Sequence, residues 1–177
     1  MTNQLSPSML SRKMICAAYI PSPFDSNARF QFQAYHSLAV VKVLKRHLKL
    51  GFALRGIELR NQNGYRNDIV FLRPDGMPRT VEAKSAKQLT EVHRVQAALY
   101  WSPDAGEIVL SNGSEDQLLS PDYISSVQEK AQRVRKFLTE QPDLAATQFN
   151  PTAEVCRICA NNRCPFLPCD QDSIQKK

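Results

Sequence analysis

Apolar positions in the first third of the chain recur with the period of an α-helix. Over Asn27–Leu50 they fall every three or four residues and end before a glycine, which predicts an amphipathic helix. These apolar positions are Phe30, Ala34, Leu38, Val41, Leu44 and Leu48. The same period predicts two further helices, Thr90–Trp101 with Thr90 as its N-cap and Pro121–Glu140 with proline in its first turn.

Shorter apolar runs between these helices have the composition of β-strands. Three of them follow the first helix, at Phe52–Arg60, Asp68–Arg73 and Arg79–Lys84. Pro74–Gly76 predicts a turn, so the second and third runs should form a hairpin. Glu107–Ser111 predicts a fourth strand. The order helix, three strands, helix, strand, helix predicts an α/β or α+β fold.

Length and composition are those of one folded domain. The chain has 177 residues, and 42% of them are apolar, which is enough for a hydrophobic core. We expect a single domain with a core over about 27–140 and a cysteine-containing segment over 151–169. Residues 1–10 and 170–177 are polar, so we expect the first to be frayed and the second to be a disordered tail.

No apolar run in the sequence approaches the roughly 20 residues of a membrane-spanning helix. Met14–Ile20 follows Arg12 and Lys13 and faintly resembles a signal peptide. The run is short for that role, and no small-x-small cleavage site follows it. We therefore expect a cytoplasmic protein that does not associate with membranes.

Two acidic residues and a lysine fall at the open end of the predicted hairpin. Asp68 begins its first strand, and Glu82, Ala83 and Lys84 close its second. Because successive side chains of a strand point to opposite faces, Glu82 and Lys84 point the same way. A turn at 74–78 then brings Asp68 alongside both.

Two carboxylates and an ammonium in one patch suit a divalent-cation site. Carboxylate oxygens are preferred ligands of Mg²⁺ and Mn²⁺, and such an ion polarises a phosphodiester and acidifies water. A neighbouring lysine can offset charge that develops on the phosphate. The alternative is an ordinary surface hairpin with solvated charges, as Asp75 in the same stretch is explained by its turn alone.

Three more polar residues bear on this patch. Gln96 and Tyr100 are four apart in the predicted second helix, so they share a face and could contact a DNA strand. Tyr100 is equally well explained as a half-buried aromatic residue. His36 lies one position off the apolar stripe of the first helix, which by itself fits a structural histidine better than a metal ligand.

The order of these residues resembles the PD-(D/E)XK nuclease superfamily in its RecB-like branch. Asp68, a gap of 13 residues and Glu82-x-Lys84 are followed by Gln96-x-x-x-Tyr100. The resemblance covers most of Asn27–Tyr100 and implies a restriction-endonuclease-like core, with a mixed central sheet flanked by helices. It implies that Mg or Mn is bound by His36, Asp68, Glu82 and the Ala83 backbone carbonyl, that Asp68, Glu82 and Lys84 are catalytic, and that Gln96 and Tyr100 bind DNA.

Four of the five cysteines lie in one C-terminal segment, and Cys16 lies near the other end. Their order is Cys156-x2-Cys159-x4-Cys164-x4-Cys169. In a cytosolic chain such clustering is more typical of metal binding than of disulfides. Taken alone, the four have the ligand spacing of a zinc knuckle with cysteine in place of histidine, although the segment lacks the glycines of knuckle turns.

A second interpretation combines Cys16 with three C-terminal cysteines around a [4Fe–4S] cluster. This arrangement resembles the iron–sulfur RecB-like nucleases, and most of all the CRISPR-associated Cas four exonuclease family, where the cluster staples the C-terminal segment to the N-terminal region. The resemblance implies the ligands Cys16, Cys156, Cys159 and Cys164, with Cys169 as the alternative to Cys164. The chain departs from the family at Ala17 and Ala18, where proline and a basic residue are usual, and in a last gap of four residues instead of five.

Positive charge is concentrated around the acidic patch. Residues 42–94 contain 12 lysines and arginines and 5 acids, a net +7 (12 − 5), compared with +6 for the whole chain. A polyanionic substrate would be drawn to this region. The sequence has no recognisable base-reading module, so we expect sequence-independent binding to backbone phosphates.

The resemblance implies a metal-dependent DNA exonuclease that hydrolyses single-stranded ends. It also implies a role in antiviral defence, trimming DNA for CRISPR spacer acquisition with the integrase as partner. Two alternatives remain open. One is a stand-alone recombination or repair exonuclease of a phage or mobile element, and the other is a non-catalytic zinc-knuckle nucleic-acid-binding protein.

Overall fold

The computed structural model describes residues 5–16, 19–21, 26–140, 155–156 and 159–160. Within these residues the chain has a mixed α/β fold of four helices and five strands. The helices are α1 (Pro7–Lys13), α2 (Ser26–Lys49), α3 (Glu91–Leu99) and α4 (Pro121–Glu140). The strands are β1 (Ala53–Arg60), β2 (Arg66–Leu72), β3 (Pro78–Ala83), β4 (Glu107–Ser111) and β5 (Asp116–Leu118).

The helices and strands predicted from the sequence are confirmed to within two residues at their ends. Neither α1 nor β5 was predicted. The expected fraying of residues 1–10 is wrong for Pro7–Leu10, because Ser6 caps α1 by accepting a 3.3 Å hydrogen bond from the Met9 N–H. Cys164, Cys169 and the polar tail lie outside the described residues, so the statements about them stay predictions.

The strands form one mixed sheet in the order β1-β2-β3-β4-β5. The first three are antiparallel neighbours, with Ile57 opposite Ile69 and Ile69 opposite Val81. β4 lies parallel to β3, with Val81 opposite Val109, and α3 lies in the crossover connection that a parallel pair requires. β5 returns antiparallel to β4. The expectation of a mixed sheet accompanied by helices is thus confirmed.

The chain is divided into two compact units. The sheet unit comprises Phe24–Gln128 and contains α2, α3 and all five strands. The cysteine unit comprises Met1–Pro23 with Glu129–Lys177 and contains α1 and the described cysteines. The single domain expected from the sequence stays a prediction. In the part of the chain that the structure describes, no helix is both long and apolar enough to cross a membrane.

The core of the sheet unit forms where β2 and β3 pack on α2. Ile69, Phe71 and Val81 have no exposed surface and cluster with Val43 of α2. His47, one turn further along the helix, is also fully buried, and its ring stacks on Phe71 with 4.9 Å between the centroids. Burial lowers the pKa of His47, so the neutral imidazole is the form that the core accommodates.

The helix α2 is apolar on two sides. Its buried row is Ala39, Val43 and His47, at the four-residue spacing of one helix face. Much of the apolar stripe that predicts the helix lies elsewhere, because the exposed fractions of Phe30, Leu38, Val41 and Leu48 are 72%, 59%, 45% and 47%. The predicted helix is therefore confirmed, but most of the apolar residues that predict it lie on the exposed side and not on the side that faces the core.

Gly106 allows β4 to begin close to the first residue of β3. Its φ is +65°, and a Cβ at this position would overlap the backbone carbonyl oxygen of Pro78. Gly76, in the turn between β2 and β3, has a similar φ of +79° with nothing within 4 Å of its Cβ position. The two glycines therefore share their backbone conformation and differ in the space around them.

We expect Gly106→Ala to lower the free energy of unfolding by about 3 kcal/mol or more, because strain at positive φ adds to a backbone clash. Gly76→Ala is the matched control, and strain alone should cost about 1 kcal/mol. Denaturant titration of both variants measures the difference. Equal losses would contradict the close approach of β4 to Pro78.

Candidate active site

The register of β2 and β3 brings Asp68 and Glu82 together. Ile69 is paired with Val81, so the next residues along the two strands, Asp68 and Glu82, take up facing positions. Facing residues of an antiparallel pair leave the sheet on the same side. The hairpin predicted from the sequence therefore brings the two carboxylates into one patch.

Asp68 links β2 to both α2 and β3. Its Oδ1 accepts a hydrogen bond from Nε2 of His36 at 3.3 Å, and its Oδ2 accepts one of 2.8 Å from the Ala83 N–H. The hydrogen bond to Asp68 raises the pKa of His36, and partial burial of the imidazole opposes this effect. The histidine of the upstream helix thus adjoins the acidic patch, while a role for the Ala83 carbonyl stays a prediction.

Glu82 is more deeply buried than its charged neighbours, with 6% of its side chain exposed. Its Oε1 accepts a 2.7 Å hydrogen bond from Nζ of Lys84, which also donates to Oε1 of Gln96 at 3.0 Å. Burial raises the pKa of Glu82 to about 7, although the Lys84 ammonium acts in the opposite direction. The Lys84 ammonium therefore offsets the negative charge of the Glu82 carboxylate, and Gln96 of α3 fixes the position of the ammonium.

Tyr100 directly follows the last residue of α3 and is hydrogen-bonded to the Gln96 side chain. Burial, with a smaller contribution from the Glu82 carboxylate, raises the pKa of Tyr100 above its ordinary value. The side chain is therefore a neutral phenol at the edge of the acidic patch. Its ring makes an edge-to-face contact with Tyr65, with 6.0 Å between the centroids.

Asn61 supports this edge of the site, and none of the sequence motifs above identifies it. Its Oδ1 accepts hydrogen bonds of 3.0 Å from the N–H groups of Asn63 and Tyr65. Its Nδ2 donates to the Tyr100 carbonyl at 2.7 Å. Asn61 thus fixes the β1–β2 turn against the end of α3. The order Asn-Gln-Asn-Gly at 61–64 is a turn signature that could have pointed to it.

The described cysteines Cys16, Cys156 and Cys159 all belong to the cysteine unit. Cys16 is buried, with 3% of its surface exposed. The N–H of Ile20 lies 3.4 Å from Sγ of Cys159, and the Ile20 carbonyl accepts a 2.8 Å hydrogen bond from the residue after Cys159. The N–H of Cys159 donates a 3.1 Å hydrogen bond to the Cys156 carbonyl. The segments around Cys16 and Cys159 therefore meet although they are far apart in the sequence.

The donor atoms fit the predicted ions. The imidazole of His36 and the carboxylates of Asp68 and Glu82 are donors that Mg²⁺ and Mn²⁺ accept, and cysteine thiolates suit iron or zinc. Across residues 5–16, 19–21, 26–140, 155–156 and 159–160, no three His, Cys, Asp or Glu side chains are arranged around one point as metal ligands. Both metal sites stay predictions.

No family model, no curated protein and no solved structure matches the chain.

Replacement of Asn61 tests whether the β1–β2 turn positions the end of α3. Asn61→Ala removes hydrogen bonds from two N–H groups and one carbonyl in a buried setting, so we expect the free energy of unfolding to fall by about 2 to 3 kcal/mol. Asn63→Ala removes one exposed hydrogen bond to the Trp101 carbonyl and is the matched control, with an expected cost below about 1 kcal/mol. If denaturant titration gave equal losses for both, Asn61 would not have this role.

Proposed function

We propose that the chain is a Mg²⁺- or Mn²⁺-dependent deoxyribonuclease with a RecB-like PD-(D/E)XK core. The observation that carries this proposal is the convergence of four titratable side chains from α2, β2 and the end of β3. His36 contacts Asp68 at 3.3 Å, and Lys84 contacts Glu82 at 2.7 Å. Charged groups resist burial unless they are paired or bind an ion. Such a half-buried group of charges with a perturbed pKa is typical of a functional site.

Each charged residue has a distinct role in the proposal. His36, Asp68 and Glu82 would hold the divalent cation, together with the Ala83 carbonyl. When bound, this ion supplies Lewis-acid polarisation of the phosphodiester and acidifies water. Lys84 offsets the negative charge that develops on the phosphate, and its 3.0 Å hydrogen bond to Gln96 orients the ammonium.

The proposed substrate is DNA, cleaved by exonuclease action at single-stranded ends. The concentration of +7 over residues 42–94 supports a polyanionic substrate. In the proposal, Gln96 and Tyr100 at the end of α3 would position the strand. The resemblance to the Cas four exonuclease family supports the single-stranded ends. It also supports a role in CRISPR spacer acquisition with the integrase as partner, whereas a stand-alone repair exonuclease would use the same residues.

Substitution of Glu82 and Lys84 tests the catalytic role of the patch. We expect Glu82→Gln and Lys84→Ala each to slow Mn²⁺-dependent cleavage of labelled single-stranded DNA by at least about 100-fold. The first change removes a charged ligand from the cation site, and the second removes the cation that faces the developing phosphate charge. Gel analysis of timed digests measures both rates.

Asp75→Asn is the matched control for these variants. Asp75 lies at the closed end of the same hairpin, where it accepts a 3.0 Å hydrogen bond from the Met77 N–H. The asparagine keeps an acceptor for that bond, so cleavage should stay within about twofold of the parent rate. If Glu82→Gln gave a native circular dichroism spectrum and cleaved as fast as the parent, the nuclease proposal would be wrong.

The proposal includes a [4Fe–4S] cluster that joins the two ends of the chain. Its ligands would be Cys16, Cys156, Cys159 and Cys164, with Cys169 as the alternative to the last. The contact between the segments of Cys16 and Cys159 supports the cluster. Three of its proposed ligands, Cys16, Cys156 and Cys159, belong to the same compact unit. Zinc bound by the four C-terminal cysteines would not involve Cys16.

The Cys16 ligand separates the cluster from the zinc site. Protein purified without oxygen should be brown, with broad absorbance near ~400 nm and bound iron and sulfide. Cys16→Ser should lose the absorbance and the iron, because one of four ligands is removed. A colourless parent that bound zinc, and kept it in Cys16→Ser, would refute the cluster and support the zinc site.

A further inference from the structure

The helix α2 extends the candidate active site beyond His36. One row of this helix passes from the core to the surface, since Val43 is fully buried, the His36 side chain is 31% exposed and Phe32 is 60% exposed. Phe32 lies one helical turn before His36 in this row. Tyr35, which is 62% exposed, lies about 60° around the helix from Phe32. Two exposed aromatic rings therefore adjoin the imidazole that contacts Asp68.

The charge of α2 complements a nucleic acid. The helix contains five lysines and arginines and no aspartate or glutamate. Lys42 and Lys49 follow Tyr35 at intervals of seven residues, so they lie along the same side of the helix, and both are exposed. Exposed aromatic rings beside a line of cations are the means by which proteins bind single-stranded nucleic acids, because the rings stack on bases while the cations meet phosphates.

We propose that Phe32 and Tyr35 form an aromatic platform on which bases of single-stranded DNA stack. The inference rests on the proposed nuclease function and adds a binding role for two residues outside its motifs. Side chains four residues apart on a helix have Cβ atoms about 5–6 Å apart. A base on Phe32 therefore belongs to a nucleotide close to the phosphodiester that reaches His36 and Asp68. Stacking is open to every base, so the aromatic platform binds without sequence preference.

The opposite side of α2 provides a matched control. At about 100° per residue, Phe30 points about 160° away from Phe32, toward the side that carries Val41 and Leu48. Phe30 is 72% exposed, so it has the residue type, the helix and the accessibility of Phe32 without its position beside His36. The Phe30→Ala variant therefore measures the effect of removing an exposed aromatic ring from α2 at a position away from His36.

Binding of the full-length protein to a fluorescent oligothymidine strand tests the aromatic platform. Anisotropy is measured without added divalent cation, so that the strand stays intact. We expect Phe32→Ala and Tyr35→Ala each to weaken binding about tenfold, and Phe30→Ala to change it by less than about twofold. Phe32→Trp should bind at least as tightly as the parent, because it keeps a stacking surface.

A strand of the same length with abasic sites separates base stacking from phosphate contact. The parent should bind this strand about tenfold more weakly than oligothymidine, and Phe32→Ala should cause little further loss on it. Equal losses on both strands, or none on either, would overturn the proposal. Analytical ultracentrifugation gives a further test. If the parent were a dimer and the Phe32→Ala variant a monomer, the proposal would be overturned, because this side of α2 would then contact a second copy.

Cleavage assays on the same samples with Mn²⁺ separate this inference from the nuclease proposal. A parent that binds through Phe32 but does not cleave would refute the nuclease proposal and leave DNA binding by the aromatic platform in place. A parent that cleaves, with a Phe32→Ala variant that binds and cleaves as well as the parent, would refute the aromatic platform alone.

Discussion

The burial of the Glu82 carboxylate at the end of β3 is the constraint on which the arrangement of the site depends. Val81 and Ala83 on either side are fully buried, so the strand cannot turn Glu82 toward solvent without disrupting the core. A buried carboxylate is costly unless a positive charge and hydrogen bonds compensate it. Lys84 supplies a positive charge and one hydrogen bond to Glu82. The pKa of Glu82 is nevertheless raised to about 7, so the lysine offsets only part of the cost of burying the carboxylate. A divalent cation between Glu82 and Asp68 would offset the remainder, which agrees with the proposed function.

The site is a junction of elements that the sheet holds in register. Asp68 accepts the Ala83 N–H and so couples β2 to β3, and Lys84 couples the end of β3 to α3 through Gln96. The N–H of Lys84 donates to the Ser111 carbonyl at 2.8 Å, which continues the pairing with β4 one residue beyond β3. The backbone of the lysine is thereby fixed as well as its ammonium. Such fixed dipoles and charges are what electrostatic catalysis requires, because they need no rearrangement during the reaction.

The sequence predicts the hairpin and the contact between its charged residues because turn chemistry and strand alternation are local properties. It does not predict which side of α2 faces the core, since that helix is apolar on two sides and the side that packs is the one that carries His47, a polar residue, against Phe71. The sequence does not predict the contact of Asn61 with the site, because its partner, the Tyr100 carbonyl, lies 39 residues away along the chain. The helix α1 has a local signature, Ser6 before Pro7, but it lies in a polar stretch without clear periodicity. The spacing of the cysteines likewise cannot show that the segments of Cys16 and Cys159 meet.

The location of bound manganese shows directly whether His36, Asp68 and Glu82 hold the ion. Crystals of the protein grown with Mn²⁺ and a short single-stranded DNA give an anomalous difference map that identifies the ion independently of any activity. We expect a peak within about 2.5 Å of Nε2 of His36 and of a carboxylate oxygen from each of Asp68 and Glu82. Manganese bound by other residues, or no peak beside these three at a saturating concentration, would contradict this expectation.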